Sequence, residues 1–96
     1  MTKVEILQKL KALKKQVQKD YKANLEGFFG SYVRGEETSK SDIDILVTFN
    51  TGADLFDFVG LNQFLEEELK CRVDVVEKET LRPEIKDFVL SELVSA

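Results

Sequence analysis

Two aspartates, Asp42 and Asp44, stand two positions apart at the end of the stretch FFGSYVRGEETSKSDID, which opens at Phe28 and carries a Gly-Ser pair at Gly30 and Ser31. Glycine lets an anion approach the backbone with no Cβ in the way, and the following N–H groups and the Ser31 hydroxyl can donate to phosphate oxygens. Aspartates at alternate positions of a strand share one face, so both carboxylates can converge on one hard cation. A third carboxylate, Asp74, lies in the later run CRVDVV. Asp42, Asp44 and Asp74 together would hold the metal ions of a nucleoside triphosphate, activate an attacking hydroxyl and stabilise departing pyrophosphate. The chain has no histidine, so Asp74 is the natural group to take the hydroxyl proton. Arg34, three residues beyond Ser31, could reach the triphosphate and offset charge on the leaving group.

Each of these residues also has a plain structural use. A Gly-Ser pair commonly just turns the chain. Asp42 can cap a turn while Asp44 faces water, Asp74 can pair with Arg72 or a lysine at a sheet edge, and Arg34 can pair with Asp42 or Glu36 to fix the loop. Leu46 weighs against the plain use of Asp44: it shares that face and places the carboxylate beside an apolar layer, where an unmatched charge is costly. Gly35 gives the loop a permissive position, and Ser41 supports the turn before Asp42. Tyr32 and Lys40 read as exposed loop residues, and Arg82 is a further uncommitted cation.

The surrounding elements must bring these residues together. Apolar positions Ile6, Leu10, Leu13, Val17 and Tyr21 predict a one-faced helix from about Thr2 to Tyr21, with Thr2 and Glu5 spaced as a capping box. Leu25 to Phe29 reads as a buried strand, and Val33 to Lys40 as a loop with at most one helical turn. Ile43 to Phe49 is rich in branched and aromatic residues and predicts a strand. Its alternation sets Asp42, Asp44, Leu46 and Thr48 against Ile43, Ile45, Val47 and Phe49. A second helix runs from about Asp54 to Lys70 on Phe58, Leu61, Leu65 and Leu69, with the acidic cluster Glu66 to Glu68 mainly outward. Cys71 to Val76 is a third strand. A last helix starts near Pro83, with Ile85, Phe88, Val89 and Leu93 as its buried stripe. The order helix, strand, strand, helix, strand, helix predicts an α/β domain with helices packed on a small sheet, the link between the second and third strands being long enough for a crossover.

Composition bounds the function. A chain of 96 residues buries too little surface for two cores, which predicts one domain over residues 1–96. With 18 acidic against 14 basic residues the net charge is −4, which disfavours nucleic acid as a partner. The single cysteine, Cys71, cannot close an intrachain disulfide, and without histidine a zinc site lacks ligands. No apolar run is long enough to span a bilayer, and MTKVEILQKL lacks the apolar core of a signal peptide. The expected setting is the cytoplasm, away from the membrane.

Taken together, FFGSYVRGEETSKSDIDILVTF followed by RVDVV closely resembles the minimal nucleotidyltransferases, small members of the polymerase-beta-like superfamily. Their pattern is an apolar strand, Gly-Ser, a loop, Asp-x-Asp and a later single Asp. The resemblance puts Gly30 and Ser31 on the triphosphate-binding turn, Asp42 and Asp44 on the metal-binding pair and Asp74 on the third catalytic carboxylate. Arg34 and Gly35 match the Arg-Gly common in these proteins. DFVGLNQFLEEEL and LRPEIKDFVLSELV are also similar, so the likeness covers nearly the whole chain. Many relatives have glycine where Cys71 stands; it replaces no proposed ligand and reads as a small buried or half-buried residue. The resemblance implies the polymerase-beta-like nucleotidyltransferase fold with a small mixed sheet, ATP as substrate and Mg2+ as cofactor. It further implies an antitoxin role: AMP is moved from ATP to a tyrosine of a partner HEPN-domain toxin, the acceptor being delivered by the partner in a homo- or hetero-oligomer. The alternatives are a non-catalytic toxin-neutralising protein and a nucleotidyltransferase acting on RNA or a small molecule.

Overall fold

The computed structural model describes residues 1–96. Helix α1 (Lys3–Tyr21) begins at the predicted capping box: the Glu5 N–H donates to Thr2 Oγ1 at 3.1 Å, and the Thr2 N–H donates to Glu5 Oε1 at 2.9 Å. Its buried positions, Ile6, Leu10, Leu13 and Val17, are four of the five in the predicted stripe, and the fifth, Tyr21, is half-buried. Strand β1 (Ala23–Phe29) starts two residues before the apolar run that signals it, and the single helical turn α2 (Ser31–Arg34) follows. Strand β2 (Ile43–Phe49), helix α3 (Leu55–Leu69) and strand β3 (Val73–Glu77) come next. Asp54 caps α3 in a second reciprocal pair, with Asp57, at 3.0 Å in each direction. After a short 3-10 turn, helix α4 (Pro83–Glu92) opens on its proline, and a two-residue strand β4 (Val94–Ser95) closes the described chain. Nothing in the periodicity of the sequence predicts β4.

The sheet order is β3-β2-β1-β4. Strand β1 runs antiparallel to β2 and to β4, whereas β2 and β3 are parallel, so α3 is the crossover that a parallel pair requires. This mixed sheet with helices upon it is the predicted α/β architecture. Fifteen buried residues from α1, α3 and the apolar faces of β1, β2 and β3 form one core cluster. Leu46 and Val89 are buried apart from it; by alternation along β2, Leu46 lies on the opposite face, with Asp44.

Two expectations are corrected. The stripe on the last helix reduces to Val89, since Ile85 and Phe88 are 45% and 58% exposed and Leu93 lies past the helix end, half-buried. Helix α4 makes little contact with the sheet or with the other helices, so its apolar positions have little to bury against. In the acidic cluster, Glu66 is not merely solvated. Its Oε2 accepts the Val73 N–H at 3.0 Å, while Asn62 Oδ1, one turn earlier on α3, accepts the Val75 N–H at 3.2 Å. These are donors of the edge strand that β2 leaves free, and satisfying them fixes β3 and closes that edge to further pairing.

Candidate active site

Asp44 and Asp74 are register partners on the parallel pair β2 and β3. Neighbouring residues of paired strands point to the same face, so two carboxylates from sequence positions thirty apart stand side by side at strand spacing, roughly 5 Å. Asp74 is exposed while Val73 and Val75 on either side of it are buried, which aims its carboxylate away from the core. Asp44 is half-buried. Burial, then the charges of Asp74 and Asp42, push its pKa from an ordinary 3.8 up to about 6, with Arg34 opposing the rise and Glu92 adding to it. Burial and like charge both disfavour the ionised form, so a cation placed beside Asp44 would favour it.

Gly30 meets this pair from β1. Its backbone, at φ 87° and ψ −153°, lies in a region that glycine alone adopts readily. A Cβ built there would fall 2.1 Å from Asp44 Oδ2, so only glycine lets the turn and the carboxylate pack together. Ser31 opens α2 half-buried, and Arg34 closes it exposed. Arg34 is engaged on two sides: its Nε donates to Glu36 Oε1 at 2.7 Å, and its Nη1 donates to both Glu92 oxygens at 2.9 Å. Glu92 Oε1 also accepts the Gly30 N–H at 2.6 Å.

The third predicted ligand, Asp42, lies one residue before β2, exposed, with its Oδ1 3.1 Å from Arg72 Nε. Arg72 thus pairs with Asp42 rather than with Asp74, and it also donates to the Lys40 carbonyl, clipping the returning loop to the start of β3. Ser41 braces the same turn by accepting the Thr38 N–H at 2.8 Å. Lys40 is exposed as expected, but Tyr32 is half-buried against the core, and burial raises its hydroxyl pKa. Cys71 is a free, half-buried thiol, also shifted upward by burial. With Asp42 turned to Arg72, no three acidic or cysteine side chains stand as a ready-made metal cage. The donor set itself fits a hard divalent cation: carboxylate oxygens only, with Asp44 and Asp74 in register.

The site is an open sheet face. The two surface hollows, of about 320 and 360 Å³, lie elsewhere, one along the start of α1 and one lined by Phe49, Ala53, Asp54, Leu55, Phe58 and Glu77. A face of this kind admits a large acceptor.

The sequence profile of the nucleotidyltransferase domain matches residues 8–95. Protein adenylyltransferase MntA of Thermococcus cleftensis is 43% identical over 94 residues, covering 98% of this chain and 95% of that protein. This chain belongs to the nucleotidyltransferase family. The solved structure of a minimal nucleotidyltransferase superposes with a TM-score of 0.83 at 32% identity, covering 100% of this chain and 97% of that one. A toxin–antitoxin crystal structure with AMP-PNP matches with a TM-score of 0.66 at 28% identity, over 83% of this chain and 66% of that chain. The strand order described above is therefore that of a nucleotidyltransferase domain.

Within that nucleotidyltransferase frame, the structure adds three residues, Glu92, Asn62 and Glu66, to those that the sequence motif marks. Glu92 is far from Arg34 in sequence and carries no local signal of its role. Asn62 and Glu66 are spaced four apart on α3, a one-face spacing that could have marked them as a pair.

Proposed function

We propose that this single domain, residues 1–96, is a Mg2+-dependent protein adenylyltransferase that moves AMP from ATP to a tyrosine hydroxyl of a partner HEPN-domain toxin, and so acts as an antitoxin. The observation that carries this reading is the in-register pairing of Asp44 with Asp74 beside Gly30, in a chain whose relative from Thermococcus cleftensis is a protein adenylyltransferase. The toxin–antitoxin structure with AMP-PNP supports both the nucleotide and the class of partner.

In this reading the Gly30 N–H, Ser31 and Arg34 receive the triphosphate, and Asp42, Asp44 and Asp74 hold the cation. Bound there, Mg2+ supplies positive charge that offsets the phosphate oxygens and the forming pyrophosphate. Asp74, exposed on the open face, accepts the proton of the incoming tyrosine hydroxyl. The tyrosine oxygen bonds to the α-phosphorus, the bond from that phosphorus to the bridging oxygen breaks, and pyrophosphate leaves with the electron pair. ATP as substrate and the lone free thiol at Cys71 suit a cytoplasmic setting, and no helix is long and apolar enough to cross a membrane.

Labelled ATP, magnesium, the protein and its HEPN-domain partner should together label the partner. Asp42→Ala/Asp44→Ala should abolish the label, and equal labelling by that double variant sinks the reading. A second reading, neutralisation by binding alone, is favoured by the apolar surface of α4, where Ile85, Phe88 and Leu90 are all more than 40% exposed. Toxin neutralisation by the carboxylate variants would establish it.

A further inference from the structure

A negatively charged side chain already sits where the proposed function seats a phosphate. Glu92, the last residue of α4, takes the Gly30 N–H at 2.6 Å and both of its oxygens take Arg34 Nη1 at 2.9 Å. Its side chain is only 11% exposed, although that of Arg34 is 42% exposed. The contact is therefore a built one, with the carboxylate enclosed by its donors. A backbone N–H and a guanidinium held on one oxyanion are the groups that would grip a triphosphate oxygen. The N–H has one hydrogen to give, so it cannot serve Glu92 and a phosphate at once.

The rest of α4 is weakly held. Val89 is its only buried residue, and its other ion pair, Lys86 to Glu79, spans 3.8 Å. Just beyond, strand β4 pairs with β1 at Gly27 and Phe28, the Ala96 N–H donates to the Glu26 carbonyl at 3.0 Å, and Lys14 Nζ donates to the Ala96 carbonyl at 3.2 Å. Gly27 is required for this closure, since a Cβ there would fall 2.1 Å from the Val94 carbonyl oxygen. Glu92 is thus delivered to the turn by a helix with little anchorage of its own, next to a short strand that is tied to β1.

We propose that Glu92 is an intramolecular competitor of the triphosphate: it occupies the Gly30 and Arg34 donors as a phosphate mimic, and nucleotide binds only as Glu92 lets go. The proposal rests on the assignment of Gly30 and Arg34 to the triphosphate made above. It predicts a latched resting state in which the apparent affinity for ATP is the intrinsic affinity multiplied by the fraction of time the latch is open.

The test is calorimetric titration of the full chain with ATP and, separately, with inorganic tripolyphosphate, both with magnesium, for the parent protein and Glu92→Gln. The amide keeps the shape of the side chain and removes its charge. Exchanging a charge-assisted contact for a neutral one should tighten both ligands by roughly tenfold, and by the same factor, because the competition is for phosphate. Unchanged or weaker binding of both ligands by Glu92→Gln, with ATP still bound by the parent, overturns the latch and leaves the nucleotidyltransferase reading intact; weaker binding would make Glu92 a support for Arg34 instead. Absence of ATP binding by either protein overturns both. Val89→Ala, which loosens α4 without touching the turn, should tighten ATP in the same direction; weaker or unchanged ATP binding there counts against the latch.

Discussion

A carboxylate pressed between Gly30, Asp74 and the apolar margin of a sheet keeps its proton to a higher pH than one in water. For Asp44 the folded pKa is about 6 against an ordinary 3.8, so between those values the folded chain binds more protons than the unfolded one. Stability from this group is fully present below the lower value, falls as pH rises toward the upper one and is level beyond it. Asp44→Asn should flatten that slope in metal-free buffer and raise the Tm at neutral pH by a few degrees, while lowering adenylyl transfer at least about a hundredfold. Thermal melts between acid and neutral pH check the first part. A variant that melts lower than its parent at neutral pH would mean that Asp44 stabilises the fold, contrary to this account. At the residue scale, type and spacing single out Gly30, Ser31, Asp42, Asp44 and Asp74, and of the three aspartates the structure sets Asp74 beside Asp44 while Asp42 pairs with Arg72. The partners of Arg34 and Asp42 were not legible, because Glu92 and Arg72 reach them from distant parts of the chain.

Strand β3 positions Asp74, and it does so from the edge of the sheet. One side is paired to β2, and the other is held by side chains of α3, Asn62 on the Val75 N–H and Glu66 on the Val73 N–H. Asp74 sits between those two anchored residues. Glu66→Ala should cost about 1–3 kcal/mol by leaving a part-buried donor unsatisfied, and it should reduce turnover more than nucleotide affinity, because Asp74 is positioned less firmly. Glu67→Ala, one residue along on the exposed side of α3, should be close to neutral. Urea unfolding and steady-state kinetics on both variants separate these outcomes; equal effects of the two would remove the anchoring role. Among the elements, the three main helices and three main strands follow from periodicity and capping signals. Strand β4 and the exposure of Ile85 and Phe88 do not. A two-residue strand has no period, and the apolar spacing on α4 reports amphipathicity without saying what the face will meet.

The whole molecule is stabilised mainly by the fifteen-residue core between α1, α3 and the sheet. A domain of this length has a total stability on the order of 5–15 kcal/mol. Leu65, fully buried in that core, should cost about 2–5 kcal/mol when cut to alanine, whereas Phe56→Ala, at a position 86% exposed, should change the urea midpoint little. Reversed sizes for these two effects would mean that the core lies elsewhere. The division of labour between the two faces of the sheet has a further consequence for how the chain finds its fold. Over Val73, Asp74 and Val75 of β3, buried and exposed positions alternate, so sliding this strand by one place against β2 would drive the Asp74 charge into the oily side and turn Val73 or Val75 out to water. Such a misthreaded chain is penalised twice over. The residue proposed for proton transfer also proofreads strand alignment, which ties fidelity of assembly to catalytic competence in a single side chain.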